Sequence, residues 1–423
     1  MAYKFSIPKY DDLNPRQKRA VTDEGSVAII GGPGTGKSVV SVWRHMISYR
    51  RNRKTSILLT YTKSLRYFLA ESIKSYRAPE DNEITKQKTQ QSALNVGLAN
   101  SWTRNDFEEI IIDEAQDLPE YELVTLQNVN NRFDIIVKEI NSFQPPIDNY
   151  GTGDKYQYNG IEYSVSRWKK GYLKYITQNT ELVSYGADDK QIVYPERATT
   201  EKRLAELFPN ANTHKLYQNY RNTYCILNFA RHALNYNIDN STLERLEEEN
   251  YGRQPILKLT DSINDQNKAI WDIINDFNDG ETNIAILLFF KNQFDNISTF
   301  LQSKKVTSSG KSFTFSKYNS NNDRFDNIDN VHLTTFKSAK GLEFDVVIIP
   351  EFDGYQRLMS NSNYNVNSED YYVAFTRARR NLFLVGNNKV NISDKVLKTE
   401  KFENAVTENF VNSSEPPEDD LPF

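Results

Sequence analysis

Cysteine, histidine and long apolar runs are scarce in this sequence. Cys225 is the one cysteine among 423 residues, which excludes an intramolecular disulfide and any multi-cysteine zinc site and suits a reducing compartment. The four histidines are scattered and form no metal-binding motif. No apolar run approaches the roughly 20 residues that span a bilayer, and MAYKFSIPKYDD lacks the apolar segment of a secretory signal. We therefore expect a soluble, cytoplasmic protein.

A surplus of basic residues is also missing. The formal net charge is −4, whereas proteins that contact nucleic-acid phosphates usually carry a basic surface. The segment after Ser413 contains Glu415, Glu418, Asp419 and Asp420 and no Lys or Arg, so the rest of the chain is neutral overall. A neutral body can still carry a basic channel, and nucleic acid therefore stays among the expected partners.

Short apolar runs alternate with helical patterns along most of the chain. This alternation predicts an α/β fold with parallel sheets wrapped by helices. We expect a first domain at 1–210 with an insertion at 128–180, a second domain at 211–395, and a disordered acidic tail at 396–423. The apolar runs are Ser26–Ile30, Ser56–Thr60, Glu109–Ile112 and Leu182–Tyr185 in the first domain and Ile284–Phe289, Val331–Thr335, Val346–Pro350 and Asn381–Val385 in the second.

A glycine-rich segment, GGPGTGKS, follows the first apolar run and precedes a helical pattern. This order fits a phosphate-binding loop, in which glycines let backbone N–H groups turn towards phosphate oxygens. Lys37 is expected at the β and γ phosphates of ATP, and the Ser38 hydroxyl at a Mg²⁺ ion. The predicted nucleotide-binding positions of the loop are Gly31, Gly32, Gly34, Thr35, Gly36, Lys37 and Ser38.

Two adjacent acids follow a later apolar run, in IIIDEAQD. Asp113 is predicted to hold Mg²⁺, and Glu114 to polarise the water that attacks ATP. Adjacent carboxylates are common on solvated surfaces. Their place after an apolar strand, downstream of a phosphate-binding loop, indicates an ATP-hydrolysing site.

These motifs and several others resemble, in the same order, those of the UvrD/Rep-like superfamily-one helicases. The resemblance implies two RecA-like P-loop NTPase domains. NPRQKRAV resembles the Q motif, which implies that Gln17 reads adenine. LLTYTKSL is similar to the motif that touches a nucleic-acid single strand, with Tyr61 and Thr62 at the contact positions. ADDKQIVYPER resembles the sensor motif, which implies Gln191 near the γ-phosphate and Tyr194 near the strand.

The second half of the chain supplies the remaining motifs of the resemblance. LYQNYRN resembles the motif whose tyrosine stacks on adenine and whose arginine reaches the γ-phosphate, roles that fall on Tyr220 and Arg221. TTFKSAKGLEFD implies Glu343 at the ribose and Thr335 at the nucleic-acid backbone. YVAFTRARR resembles the arginine-finger motif, with Arg377 as the finger.

The resemblance implies an ATP-dependent DNA helicase or single-stranded-DNA translocase that moves 3′ to 5′, with RNA as an alternative track. The expected cofactors are ATP and Mg²⁺. Two other functions stay open: a nucleic-acid-stimulated ATPase switch in a phage-defence or mobile-element complex, and an adaptor for DNA-repair proteins. The predicted catalytic residues are Lys37, Asp113, Glu114, Gln191, Arg221 and Arg377.

The sequence departs from the family pattern in several places, including Ala187 where the family has a Gly and Lys337 where it has a His. The space for the two accessory subdomains of full-size relatives is nearly gone, which puts duplex unwinding in question. Glu196 stands where the family usually has a strand-stacking Trp. The insertion Asn128–Thr180 is rich in Tyr and Lys, which suggests a hairpin that binds a strand or a partner, with a plain solvated insert as the alternative; Asn159-Gly160 predicts its turn.

The last residues, PEDDLPF, resemble the C-terminal tip of bacterial single-stranded-DNA-binding proteins. The resemblance implies that this segment docks onto proteins that read such tips, by recognition of a chain end. An inert acidic tail is the alternative. The predicted docking residues are Asp419, Asp420, Leu421, Pro422 and Phe423.

Overall fold

A computed structural model gives the fold of this chain in two units. One unit is Phe5–Tyr220, and the other combines Met1–Lys4 with Arg221–Phe423. The residues that the structure describes are 3–51, 55–101, 107–137, 150–178, 180–192, 195, 197–289, 293–308, 310–318, 327–352, 367–387 and 405–410.

The unit Phe5–Tyr220 contains a parallel sheet and an antiparallel one. Its strands are β1 (Val27–Ile30), β2 (Ser56–Thr60), β3 (Val96–Leu98), β4 (Glu109–Ile112), β5 (Leu123–Gln127), β6 (Arg132–Ile136), β7 (Lys155–Tyr158), β8 (Ile161–Trp168), β9 (Leu182–Ala187) and β10 (Asn212–Lys215). Its helices are α1 (Pro15–Thr22), α2 (Lys37–Arg50), α3 (Lys63–Ser75), α4 (Glu83–Leu94), α5 (Leu173–Ile176) and α6 (Glu201–Leu207). The parallel sheet has the order β10-β1-β9-β4-β2-β3.

Both faces of this parallel sheet are covered, which explains why its central strands are continuous apolar runs. Ile29, Leu58 and Ile111 have no exposed surface and pack into a core with residues of α2 and α3. Their neighbours Ile57 and Ile110 point to the opposite face and belong to a second core. A strand buried on both sides needs apolar residues at every position rather than at alternate ones.

The insertion between β4 and β9 forms the antiparallel sheet, with the order β6-β5-β8-β7. Asn159 and Gly160 form the predicted two-residue turn, with positive φ angles of 51° and 76°. The flanking residues Tyr158 and Ile161 pair across the hairpin. The hairpin prediction is therefore confirmed.

Two tyrosines of the insertion lie in the core of its sheet. Tyr156 and Tyr163 are 1% and 4% exposed and pack with Val124, Leu126 and Val165. A small sheet needs its own apolar cluster to be stable, and these rings supply it. The suggestion that the tyrosines of the insertion form a binding surface is thus corrected for Tyr156 and Tyr163.

The second unit contains a parallel sheet of its own. Its strands are β11 (Ile256–Thr260), β12 (Ile284–Leu288), β13 (Ser316–Tyr318), β14 (Val331–Thr335), β15 (Phe344–Ile349), β16 (Ala378–Asn387) and β17 (Val406–Asn409). Its helices are α7 (Tyr224–Leu234), α8 (Asn240–Glu249), α9 (Ile263–Phe277), α10 (Gln293–Gln302) and α11 (Ser368–Phe375). The strand order is β13-β14-β12-β15-β16-β11-β17. The prediction of an α/β fold with two RecA-like domains, each a parallel sheet flanked by helices, is confirmed.

Two polar edge strands lie where the sequence suggested none. β10 pairs with β1, so the first unit extends beyond 210, to Tyr220. β17 pairs with β11, and the prediction of disorder over 396–423 is therefore wrong for Val406–Asn409. Backbone hydrogen bonds alone can hold an edge strand, so no apolar run marks either segment. The tip PEDDLPF lies outside the described residues.

The loop between β1 and α2 is tight because another segment of the same unit lies against it. Gly36 caps α2 with a φ of 87°, a conformation that other residues rarely adopt. The amide of Leu216 donates to the carbonyl of Ile30 at 2.8 Å. A Cβ added to Gly31 would lie 2.4 Å from the Leu216 carbonyl oxygen, whereas a Cβ on Gly32 would meet nothing within 4 Å.

We expect Gly31→Ala to lower the free energy of unfolding by about 1–3 kcal/mol, because the backbone at Leu216 must move to admit the methyl group. The matched variant Gly32→Ala should change it by less than about 0.5 kcal/mol. Urea denaturation without nucleotide measures both. Equal stabilities of the two variants would contradict the close packing at Gly31.

His45 on α2 links three elements of the first unit. Its Nδ1 and Nε2 lie 2.8 Å from the Ser56 hydroxyl and the Ser92 carbonyl. Because a carbonyl only accepts, Nε2 carries the proton and Nδ1 accepts from Ser56. Burial lowers the pKa of His45 to about 4. The imidazole is therefore neutral in the folded protein at and above neutral pH.

This pKa makes stability depend on pH. Between the unfolded pKa of about 6.5 and a folded pKa of about 4, only the unfolded chain binds a proton at His45, so stability falls as pH falls, by up to about 1.4 kcal/mol per pH unit. In His45→Gln, the loss of stability between pH 7 and pH 5 should be smaller than in the wild type. Urea denaturation at both pH values measures it, with the exposed His232→Gln as control. An unchanged difference in His45→Gln would contradict this account.

Candidate active site

The carboxyl ends of three adjacent strands, β1, β9 and β4, meet at one edge of the first unit's parallel sheet. In open parallel sheets, ligands bind at this edge. The segments that follow these strands carry Lys37, Asp188 and Asp113. The sheet order therefore brings together residues that are far apart in the sequence.

Lys37 lies at the first position of α2, where the glycine-rich loop ends. Its ammonium group donates to the carbonyls of Gly31 and Gly32 at 2.7 and 3.0 Å. It also lies 3.5 Å from a carboxylate oxygen of Asp188. The side chain is only 6% exposed, so these oxygens offset most of its charge. They keep the ammonium group within the loop that would receive phosphates.

Asp188 is a functional candidate that the sequence analysis missed. Its Oδ2 accepts a hydrogen bond from Nε2 of Gln191 at 2.6 Å, and the same oxygen faces Lys37. Gln191 is 2% exposed. Asp188 therefore joins the predicted sensor glutamine to the loop lysine. Its position directly after β9, beside β1, is the signal that could have identified it.

Asp113 follows β4 and is 1% exposed. Burial and, after it, the adjoining Glu114 raise the pKa of Asp113 to about 7, although Ser38 and Lys37 act to lower it. The hydroxyl of Ser41 reaches its Oδ1 at 3.4 Å. Its buried Oδ2 has no hydrogen-bond partner within the described part of the chain.

This oxygen tests whether the site fits a metal ion. A buried carboxylate oxygen without a donor is costly unless a cation or donor completes it. Mg²⁺ takes oxygen ligands and typically uses one or two protein groups together with phosphates and waters. Asp113 and the adjacent Ser38 offer such a pair, so the residues present fit the predicted ion.

Glu114 is held in an unusual backbone conformation. Its φ of 57° and ψ of 47° lie in the left-handed region, which is uncommon for residues other than glycine. The side-chain amide of Gln116 donates to its Oε2 at 2.5 Å. Backbone strain of this kind tends to cluster at functional sites, where surrounding contacts enforce it. The strain and the Gln116 contact fix the carboxylate close to Asp113.

The predicted adenine-reading residue, Gln17, is tied to the phosphate-binding loop. Asn14 and Gln17 form a capping box at the start of α1, in which Gln17 Oε1 accepts from the Asn14 amide at 3.0 Å. Gln17 Nε2 donates to the Thr35 carbonyl at 3.1 Å. These two contacts use one N–H and one lone pair of a side-chain amide that carries two of each.

Tyr220 lies beside the same loop. Its backbone amide donates to the Gly34 carbonyl at 2.8 Å. Its hydroxyl accepts from Asn14 Nδ2 at 2.7 Å and donates to Gln218 at 2.6 Å. The side chain is 49% exposed. The structure thus places Tyr220 and Gln17 against one loop, and their adenine roles stay predictions.

Arg221 and Glu343 form an ion pair in the second unit. Arg221 Nε donates to Glu343 Oε2 at 2.9 Å, and Arg379 lies 3.6 Å from Oε1. Burial acts to raise the pKa of Glu343, but Arg221 and Arg379 outweigh it and hold the pKa below its usual range. Glu343 is therefore ionised at neutral pH, and its negative charge offsets the positive charges of both guanidinium groups.

Arg377, the predicted finger, is bound by its own unit. Its guanidinium donates to the carbonyls of Val373 and Leu342 at 2.9 and 3.2 Å and to the Thr376 hydroxyl at 3.3 Å. The side chain is 1% exposed. A phosphate would have to share or replace some of these contacts, so the finger role stays a prediction.

The residues predicted to contact the nucleic-acid strand lie at the carboxyl ends of β-strands. Tyr61 and Thr62 follow β2, and Thr62 caps α3 by accepting from the Leu65 amide at 3.2 Å. In the second unit, Thr335 at the end of β14 exchanges hydrogen bonds with Ser338 at 3.0 and 3.2 Å. Tyr194 lies outside the described residues, as does Glu196.

The structure assigns the predicted residues to different units. Lys37, Asp113, Glu114 and Gln191 lie in Phe5–Tyr220, whereas Arg221, Thr335, Glu343 and Arg377 lie in the other unit. Among the described residues, no helix is long and apolar enough to cross a membrane. In the same residues, no group of three or more His, Cys, Asp or Glu side chains is arranged to hold a metal ion.

Comparisons with known proteins agree with this geometry. The family described as Schlafen group 3, DNA/RNA helicase domain matches residues 25–349, well over half of the chain. The UvrD-like helicase C-terminal domain matches residues 311–389. No curated protein matches the chain.

Two solved structures are similar to the chain at low identity. One is the C-terminal domain of a possible DNA helicase from Lactobacillus plantarum WCFS1, at 18% identity, 44% of this chain, 98% of that chain and a TM-score of 0.30. The other is S. cerevisiae Dbp5 bound to RNA and ADP BeF3, at 12% identity, 95% of this chain, 91% of that chain and a TM-score of 0.48. At these scores neither similarity bears on function. The match over residues 25–349 does: this chain belongs to the Schlafen group 3 DNA/RNA helicase domain family and is an ATP-hydrolysing enzyme of the helicase class.

Proposed function

We propose that this enzyme couples ATP hydrolysis to movement along single-stranded DNA, in the 3′ to 5′ direction. The observation that carries the proposal is the cluster at the carboxyl edge of the first sheet. There Lys37 and Gln191 share Asp188, and Asp113 has a buried oxygen that no described residue satisfies. The ssDNA track and the direction come from the resemblance to UvrD/Rep-like helicases. Single-stranded RNA is the alternative track.

The first unit is proposed to bind ATP and prepare it for hydrolysis. Lys37 would leave its carbonyl partners for the β and γ phosphates, with Ser38 and Asp113 as ligands of Mg²⁺, which supplies charge neutralisation between the phosphates. Glu114 would polarise the attacking water, and Gln191 would respond to the γ-phosphate. Gln17 and Tyr220 would contact adenine. The backbone of the loop would surround the phosphates, at Gly31, Gly32, Gly34, Thr35 and Gly36.

The second unit is proposed to supply the groups that make hydrolysis conditional. Arg221 and Arg377 would stabilise charge on the transferring phosphoryl group, an effect worth roughly 10³–10⁵ in rate for an arginine finger. Glu343 would contact the ribose. Because these groups belong to a different unit from Lys37, the relative motion of the units would control turnover. The same motion would make and break contacts with the nucleic-acid strand, at Tyr61, Thr62, Tyr194 and Thr335.

We expect single-stranded DNA to stimulate ATP turnover by at least about tenfold over the polymer-free rate, because an arginine finger that completes the site is worth roughly 10³–10⁵ in rate. Lys37→Ala and Arg377→Ala should each abolish the stimulated rate. The measurement is phosphate release with no polymer, single-stranded DNA, single-stranded RNA and duplex DNA. Arg245→Ala, which breaks a helical Arg245–Glu249 pair, is the control.

Arg377→Ala also removes the hydrogen bonds to Val373, Leu342 and Thr376, so a second variant controls for misfolding. Arg377→Lys keeps the charge but not the planar fork, and it should lose most of the stimulated rate while the protein still binds ATP through the first unit. Full stimulated turnover in Lys37→Ala would refute the motor and support the adaptor that presents Asp419 to Phe423. Stimulated turnover without displacement of streptavidin from a biotinylated strand would support the ATPase switch instead.

A further inference from the structure

We propose that Asp134, in the inserted antiparallel sheet, is a positioning residue for the strand contact at Tyr61 and acts through Arg197. The inference rests on the proposed function, because it assigns a role in gripping a single strand. It also gives the inserted sheet a function. The sheet would stabilise the nucleic-acid contact at Tyr61 through Arg197, and it does not have to bind the nucleic-acid strand itself.

Arg197 connects the two sheets of the first unit. Its guanidinium carbon lies 4.7 Å from the centroid of the Tyr61 ring. Tyr61 directly follows β2 of the parallel sheet. The same carbon lies 6.0 Å from the Trp168 ring, at the end of β8. Cations within about 6 Å of an aromatic ring are attracted to its face. Arg197 therefore packs against one aromatic ring from each sheet.

Asp134 carries a negative charge close to this buried cation. Arg197 is 4% exposed, and its Nη1 lies 3.5 Å from Asp134 Oδ2. The other carboxylate oxygen of Asp134 accepts from the Thr125 hydroxyl at 2.7 Å. Thr125 and Asp134 are directly paired across β5 and β6. The register of the inserted sheet thus sets where the carboxylate stands.

The backbone next to Arg197 is fixed as well. The Thr199 amide donates to the Gln116 carbonyl at 3.0 Å, and the Thr199 hydroxyl donates to the Leu118 carbonyl at 2.6 Å. Gln116 is the residue that holds Glu114. The chain is therefore anchored to the segment after Asp113 two residues beyond Arg197, and the Arg197 guanidinium group contacts the inserted sheet.

These contacts have a consequence for Tyr61. A ring held by a cation on its face loses little conformational freedom when a base stacks on its exposed part. Without the Asp134 charge, the buried guanidinium group would lose this ion pair, and removing one partner of a buried ion pair destabilises the position of the other. Tyr61 would then lose its support. The expected defect is weaker strand binding with unchanged chemistry at the phosphates.

The test is Asp134→Asn, in which an uncharged amide of the same shape faces Arg197. The poly(dT) concentration for half-maximal ATP turnover should rise by about 5-fold to 20-fold, since part of the affinity from a base stacked on the Tyr61 ring would be lost. The polymer-free rate, the KM for ATP and the turnover at saturating poly(dT) should stay within about twofold of wild type. The matched control is Glu122→Gln, which breaks the Glu122–Arg167 pair of the same sheet, with bonds of 2.9 and 3.1 Å.

A second pair of variants separates positioning from a purely structural role. In a Tyr61→Ala background, Asp134→Asn should cause no further rise in the poly(dT) requirement, because the residue it supports is already gone. If Asp134→Asn fails to fold, Thr125→Val removes only the hydroxyl that orients the carboxylate. It should give a smaller rise in the same direction.

The possible outcomes separate this inference from the proposed function. A wild-type protein that no single strand stimulates would refute the proposed function. Stimulation in the wild type, with Asp134→Asn matching Glu122→Gln, would overturn the positioning role alone. An equal rise from Asp134→Asn with and without Tyr61 would also overturn it, because the effect would then not pass through the tyrosine.

Discussion

The balance of charge at the carboxyl edge of the first parallel sheet is the constraint on which the rest of the structure depends. Lys37 is nearly buried and needs oxygens around it, which two loop carbonyls and Asp188 provide. Asp113 is more deeply buried and keeps an oxygen with no partner among the described residues. One cation with several acceptors beside a carboxylate with an open position is an arrangement that a magnesium-bound triphosphate would complete.

The surroundings of this edge follow from that constraint. The loop must pass close to Lys37, so Gly31 packs directly against the backbone of Leu216 and Gly36 adopts a left-handed conformation. The segment ending at Tyr220 lies against the loop by backbone hydrogen bonds. These contacts place the exposed Tyr220 ring beside the phosphate site. The chain then continues into the second unit at Arg221, whose guanidinium group is held by Glu343.

The sequence predicted the parts of this structure that depend on local pattern. The central strands were evident because burial on both faces demands unbroken apolar runs, and the loop was evident from its glycines and Lys37. Tyr156 and Tyr163 were misread, because each combines a polar hydroxyl with a ring that packs in the core of the inserted sheet. The strand Val406–Asn409 was missed because it is polar and held by backbone pairing. Long-range pairs such as Asp134 with Arg197 leave no local signal.

The most direct test of the central claim is the binding of a non-hydrolysable ATP analogue with Mg²⁺ and with EDTA, measured by calorimetry. The account predicts that wild-type protein binds much more tightly with Mg²⁺, that Asp113→Asn still binds but loses this dependence, and that Lys37→Ala binds in neither condition. An Asp113→Asn protein that keeps the full Mg²⁺ dependence, or a Lys37→Ala protein with wild-type affinity, would contradict it.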